Sequence, residues 1–202
     1  MFPVKTLFPQ TTLLFVNTGP LIKLATRTSR LVNFNFKSFS FLAESIAGGK
    51  VVGFFHGRAE WGPRALGARS IMADPRREEM KEIVNTKIKF REPYRPFAPV
   101  GLAEKARDYF EVDGIEHEYL TNFMLGVFSV KRDKKKVIPA VVHVDGSGRL
   151  QIISAKQNRR YYNIIKKFGD KTGVYVLLNT SFNLKGEPIV NSPESAFNTF
   201  SK

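Results

Sequence analysis

Between residues 56 and 99 the chain carries Arg58, Arg64, Arg69, Arg76, Arg77, Arg91 and Arg95 together with Lys81, Lys87 and Lys89, several of them beside Gly or Pro. A cation on a solvated helix face is ordinary. Segments shaped by Gly and Pro are different, because they set where a rigid guanidinium fork points. A set of aimed forks suits phosphate or carboxylate, gripped through paired, charge-assisted hydrogen bonds. The chemistry expected is the handling of a nucleotide and a phosphorylated small molecule. Residues 57–67 contain neither GxxxxGK[ST] nor GxGxxG, so phosphate contact falls to side chains, helped by backbone N–H groups at the glycines.

Three constellations stand out. Lys89 and Arg91 in IKFRE flank one residue; on an extended segment both would face one ligand, although pairing with Glu92 or other surface acids is the plainer alternative. Ser181 and Asn183 in NTSFN follow a strand-like run, where polar residues commonly line a crevice in sheet-based folds; a turn satisfying its own backbone is the alternative. His143 and Asp145, with Arg149 and Gln151 beyond a DGSG turn, read as the charged end of a hairpin. No Ser or Cys nucleophile is marked beside them, so they are not read as a nucleophile's base. Trp61 could stack on a base or pack.

The elements that must position these residues alternate in type. Residues 42–47 read as a helix end stopped by Gly48-Gly49, and residues 50–56 as a buried strand. Residues 70–73 suggest a second strand, and Asp74-Pro75 a cap and first-turn Pro for a helix with Met80, Ile83, Val84 and Ile88 on its core face. The prolines at 93, 96 and 99 end it. Residues 103–110 suggest a short helix and residues 122–130 a strand. Residues 141–154 read as two strands about the DGSG turn, residues 158–168 as a helix with Tyr162, Ile165 and Phe168 inward, and residues 174–178 as a buried strand. Ser192-Pro193 opens a last helix. The expected fold is α/β or α+β, helices flanking a mixed sheet.

With 202 residues, 43% of them hydrophobic, the chain has material for one folded domain. The formal charge of +14 attracts polyanions without choosing among nucleic acid, acidic membrane and phosphorylated ligands. No Cys is present, which removes disulfides, Cys-based zinc sites and thiol nucleophiles. The three His (His56, His117, His143) make no familiar metal spacing. Residues 1–41 lack acids and are rich in Phe. They read as an atypical basic leader, either transit-like or, on the preferred reading, an unrelated upstream segment, ahead of a domain over residues 42–202. The leader's apolar run is too short and broken to span a bilayer, and no membrane partner is expected.

GRAEWGPRALGARSIMADPR, NTKIKFREPYRPFAP, HVDGSGRLQ and NTSFNLKGEPIV, in that order, resemble the C-terminal domain of NodU/CmcH-type carbamoyltransferases. The departures are small: Ala68 where Asn is common, Tyr94 for Phe, and Ser147-Gly148 for Thr-Ala. The resemblance implies a YrdC-like twisted mixed sheet, truncated here at its C-terminus. It implies binding of ATP with Mg²⁺ and of carbamoyl phosphate to form a carbamoyl-adenylate, in the cytoplasm. A separate N-terminal Kae1-like transfer domain or subunit, of actin-like ATPase fold, would pass the carbamoyl group to a hydroxyl. It assigns Lys89, Arg91, Ser181 and Asn183 to ATP, and Arg58, Arg64, Arg95 and Arg149, with His143, to the catalytic set around carbamoyl phosphate, with no protein-held metal. A basic groove for RNA and an inactive fragment are the alternatives.

Overall fold

The computed structural model describes residues 12–16, 36–112 and 115–202. Its main sheet has six strands in the order β1-β2-β3-β8-β4-β7. These are β1 Thr12–Val16, β2 Val52–His56, β3 Arg69–Ala73, β4 Ala98–Leu102, β7 Gln151–Ile153 and β8 Val176–Ser181. Neighbours pair antiparallel except β4 with β7, which run parallel. The mixed α/β architecture expected from the alternation is therefore present. Strand β1, within the stretch read as a leader, pairs with β2 along its whole length.

Helix α1 (Phe36–Ala47) begins ahead of residue 42 and buries Phe39, Leu42, Ala43 and Ile46, a spacing that puts one stripe on the sheet side. Gly49, at φ 84°, ends it in the left-handed conformation that costs glycine least. Helix α5 (Arg159–Thr172) packs against α1. Asn158 caps α5 by accepting from Tyr161 N at 3.0 Å. Its buried stripe is Tyr161, Ile164, Ile165 and Phe168. Tyr162, expected inward, is half-buried and turns its hydroxyl to Glu104. The fully buried ring is Tyr161, one residue earlier.

Asp74 does not cap a helix. Its carboxylate accepts from Arg76 N and Nε, both at 2.9 Å, and α2 starts later, at Glu79–Ile83. The helix continues as a π-turn over Val84–Ile88. Met80 and Val84 still face the core, with Ile83 and Ile88 at its margin. Short helices α3 (Ala106–Tyr109) and α4 (Ile115–Asn122) follow. The run read as a strand over residues 122–130 is mostly irregular, with only β5 (Phe128–Ser129) in a ladder.

No hairpin forms across the DGSG turn. β6 (Ser147–Gly148) pairs with β5, while β7 pairs with β4. Residues Pro139–Val141 are a 3₁₀ turn. The last helix, α6 (Pro193–Ser201), carries the expected cap, with Ser192 and Ser195 in a reciprocal capping box. Among the described residues no helix is long and apolar enough to cross a membrane.

Candidate functional site

The arginine-bearing loop of residues 57–68 runs from β2 to β3 and is fastened by side chains. Glu60 Oε1 accepts from Leu66 N at 3.1 Å and from Ala68 N. Burial raises the Glu60 pKa, and these N–H groups and Arg69 oppose the shift. Buried Arg69 ties the loop's start, donating to His56 O at 2.8 Å and Gly57 O at 3.0 Å, with its guanidinium over the Phe55 ring. Behind the loop, buried Asn179 of β8 donates from Nδ2 to Ala65 O at 3.0 Å and to Gln151 Oε1 at 2.9 Å. Gln151 Nε2 in turn donates to Leu66 O at 2.8 Å. Each amide's orientation follows, because backbone carbonyls can only accept.

His56, where β2 meets the loop, is neutral. Asn158 already spends Oδ1 on its cap, so its Nδ2 donates to His56 Nε2 at 3.1 Å. Burial, then Arg160 and Arg69, pulls the His56 pKa down to about 4.

The segment after the π-turn is not extended, contrary to the expectation for IKFRE. Lys89 is helical in φ and ψ, and Phe90 sits at φ 48°, in the left-handed region. That reversal still leaves both cations on the inner side, with Phe90 half-exposed. Lys89, only 4% exposed, places Nζ 2.7 Å from Ser181 O, 2.8 Å from Asn183 O and 2.7 Å from Asn183 Oδ1. The KxR and SxN elements thus bond directly to each other. Burial first and Arg91 second pull the Lys89 pKa down to about 7, with Glu187 opposing. The oxygens around Nζ are acceptors, a set that three ammonium protons satisfy.

These parts border a cleft of about 100 Å³ lined by Arg64, Arg91, Arg149, Met124, Asn179 and Ser181, among others. Arg91 Nε donates to Asn85 Oδ1 at 2.7 Å, and its guanidinium lies 4.9 Å from the Phe97 ring centre. Burial, then Arg95, lowers the Arg91 pKa, with Arg149 adding to it and Glu92 opposing. Burial and then Arg64 lower that of Arg149. Mutually repelling cations held in one half-buried place are stabilised by an anion among them. Two buried polar atoms there, Arg149 Nε and Asn179 Oδ1, have no protein partner.

Of the residues singled out in the sequence, Arg64, Arg91, Arg149 and Ser181 meet in this cleft, with Lys89 and Asn183 bonded beside it. Arg95 is half-exposed and paired with Glu92 at 2.9 Å. Arg58 is exposed and outside the lining. His143 also stands outside it, and Ser147 separates it from Asp145: Ser147 Oγ lies 3.3 Å from His143 Nδ1 and 2.6 Å from Asp145 Oδ1. Trp61 is fully exposed and packs nothing. Glu60, Arg69 as a loop anchor, and Asn85 carried no signal beyond their charge or polarity. Their roles depend on which backbone groups the fold brings to them. The cleft lining has no carboxylate, and among the described residues no group of three or more His, Asp or Glu could hold a metal.

A family model described as carbamoyltransferase C-terminus matches residues 43–202. Nodulation protein NolNO of Sinorhizobium fredii is 49% identical over 158 residues, 78% of this chain and 23% of that protein. Nodulation protein NolO of Bradyrhizobium diazoefficiens is 48% identical over 159 residues, 78% of this chain and 28% of that protein. The chain thus spans about a quarter of the length of these relatives. Among solved structures, full-length HypF in its phosphate- and nucleotide-bound form superposes with a TM-score of 0.56 at 17% identity, over 94% of this chain and 21% of that one. HypF of T. kodakarensis gives 0.54. At such identity the likeness is one of fold.

Proposed function

The chain belongs to the carbamoyltransferase C-terminal family, and from that premise we propose that its cationic cleft binds ATP and carbamoyl phosphate and forms a carbamoyl-adenylate. The observation that carries this is the meeting of Arg64, Arg91 and Arg149 around unpartnered polar atoms, beside the Lys89–Ser181–Asn183 cluster. A structural relative at this fold is described in a phosphate- and nucleotide-bound form, which agrees with it.

Carbamoyl phosphate first yields carbamate, water taking the phosphate. A carbamate oxygen then bonds to the α-phosphorus of ATP, the α–β bridging bond breaks, and pyrophosphate leaves. Two anions must approach while charge builds on the leaving group. Fixed guanidiniums lower that barrier because their orientation is set before the reaction. Lys89, Arg91, Ser181 and Asn183 serve the nucleotide phosphates; Arg64 and Arg149 serve the carbamoyl phosphate group, with Arg58, Arg95 and His143 at the periphery. Mg²⁺ does not fit this chain's lining, which offers no carboxylate; it would arrive on the ATP phosphates. Passing the carbamoyl group to an acceptor hydroxyl belongs to a further domain or subunit.

Isothermal titration with ATP and with carbamoyl phosphate tests the proposal. Both should bind, and Lys89→Ala and Arg91→Ala should each weaken ATP by about 1.5–3 kcal/mol. Silence with both ligands, together with RNA binding that falls steeply with salt, would sink it in favour of a polyanion-binding module.

A further inference from the structure

Residues 89–97 contain no regular structure, yet they must hold Arg91 at the cleft wall. Two prolines, Pro93 and Pro96, lack backbone N–H groups, and Phe90 is in the left-handed region. A ladder of backbone bonds cannot hold such a segment. Asn85 takes its place. It is fully buried, on the π-turn of Val84–Ile88. Its Nδ2 donates to Pro93 O at 3.0 Å and to Arg95 O at 2.9 Å. Its backbone carbonyl accepts from Arg91 N at 2.9 Å, and its Oδ1 from Arg91 Nε at 2.7 Å.

The amide can point only one way. Two carbonyls accept and one guanidinium nitrogen donates, so exchanging O and N would break every side-chain bond. One buried residue therefore holds the backbone at Arg91 and at two carbonyls beyond it, and grips the arginine's own side chain. A guanidinium is planar, so fixing Nε fixes the plane of the fork and leaves the two terminal nitrogens for a ligand. The Phe97 ring packs against that plane, with Arg91 Cζ 4.9 Å from the ring centre. π-turns insert one residue in a helix and so change which side chain faces inward. Here the turn carries Asn85 and leads straight into Lys89.

We infer that Asn85 is a positioning residue, which aims the Arg91 guanidinium into the cleft and so sets the cleft's affinity for a phosphate group. This rests on the cleft being an anion site, but not on ATP being the anion. Asn85 touches no reacting atom; it acts through Arg91.

Inorganic pyrophosphate is the probe, titrated into the wild-type chain, Asn85→Ala, Arg91→Ala and the double variant, with thermal unfolding recorded for each. Asn85→Ala should weaken pyrophosphate about tenfold in the wild-type background and less than about twofold once Arg91 is gone, because a residue acting through another loses its effect with that partner. Equal losses in both backgrounds would show a general structural role and overturn the inference. Arg91→Lys gives a second test that leaves Asn85 in place. It keeps the positive charge but cannot reproduce the planar Nε bond, so it should bind pyrophosphate nearly as weakly as Arg91→Ala. Wild-type affinity in Arg91→Lys would show that charge alone suffices, and would overturn the inference even if Asn85→Ala does not fold. If the wild-type chain ignores pyrophosphate, the anion-site reading itself fails. Binding without coupling sinks the positioning role alone.

Discussion

Two irregular segments bring arginines to one cleft, and they are held in opposite ways. The loop of residues 57–68 is held by two side chains from strands remote in sequence, Asn179 of β8 on Ala65 O and Gln151 of β7 on Leu66 O, and by Arg69, which follows it directly and bonds back to Gly57 O. Glu60 adds internal bonds, accepting from Leu66 N and Ala68 N. The segment of residues 90–97 is held by a near neighbour, Asn85, six residues from Arg91, while Lys89 just before it is tied to Ser181 and Asn183. The first arrangement ties Arg64 to the integrity of the sheet. The second lets the aim of Arg91 be altered with the sheet intact.

Substitution at Gly67 should disturb the first segment most. Its φ is 120°, and a Cβ there would lie 2.3 Å from the Tyr161 ring in the core. Gly67→Ala should cost about 3 kcal/mol or more, combining backbone strain with overpacking. Denaturant unfolding reads this, and ligand affinity should fall only as the fold does.

Gln151→Leu comes next. Gln151 is fully buried, and its loss strands Leu66 O and one proton of the Asn179 amide. A stability loss of about 1–3 kcal/mol is expected. A variant of wild-type stability would show that the loop is not fastened from β7.

Lys89 sharpens the other side. With a free-state pKa of about 7, its ammonium form is the one a phosphate prefers, so binding raises that pKa. ATP affinity should therefore be flat below pH 7 as far as Lys89 is concerned, and fall by up to about tenfold per unit above it. Comparison with Lys89→Ala removes the titration of ATP itself; identical slopes in both proteins would discard the effect. The sign for stability is opposite. A lysine whose folded pKa lies below its unfolded value disfavours folding most below pH 7, and that penalty is relieved as pH rises from there towards 10.5.

Arg58 should give the smallest effect. It belongs to the loop but is exposed and outside the cleft lining, so Arg58→Ala should change ATP affinity by less than about twofold, in keeping with a screened surface charge. A loss rivaling that of Arg91→Ala would place Arg58 within the site.

Element types were legible where periodicity was long, as in α5 and the helix stripe of Met80 and Val84, because burial of one face leaves a repeating pattern. Short segments were not. Asp74 could cap a helix or hold Arg76, and the local sequence does not say which. The DGSG run looked like a hairpin, yet its two sides join different strands. Lys89 is buried and Arg91 lines the cleft, but the strand alternation expected to turn them the same way is absent, since Phe90 between them is left-handed.

What the sequence alone determined was the chemistry on offer: guanidiniums on Gly- and Pro-shaped segments, an NTSFN run after an apolar stretch, and motifs that resemble one family throughout. Side-chain type and local spacing are enough for that. Only the tertiary structure decided which of those groups share a cleft. Lys89 meets Asn183 across 94 positions and Asn179 meets Ala65 across 114. Such contacts depend on strand order in the sheet, which places β8 between β3 and β4. Strand order is set by how whole faces bury together, and no short stretch of residues encodes it.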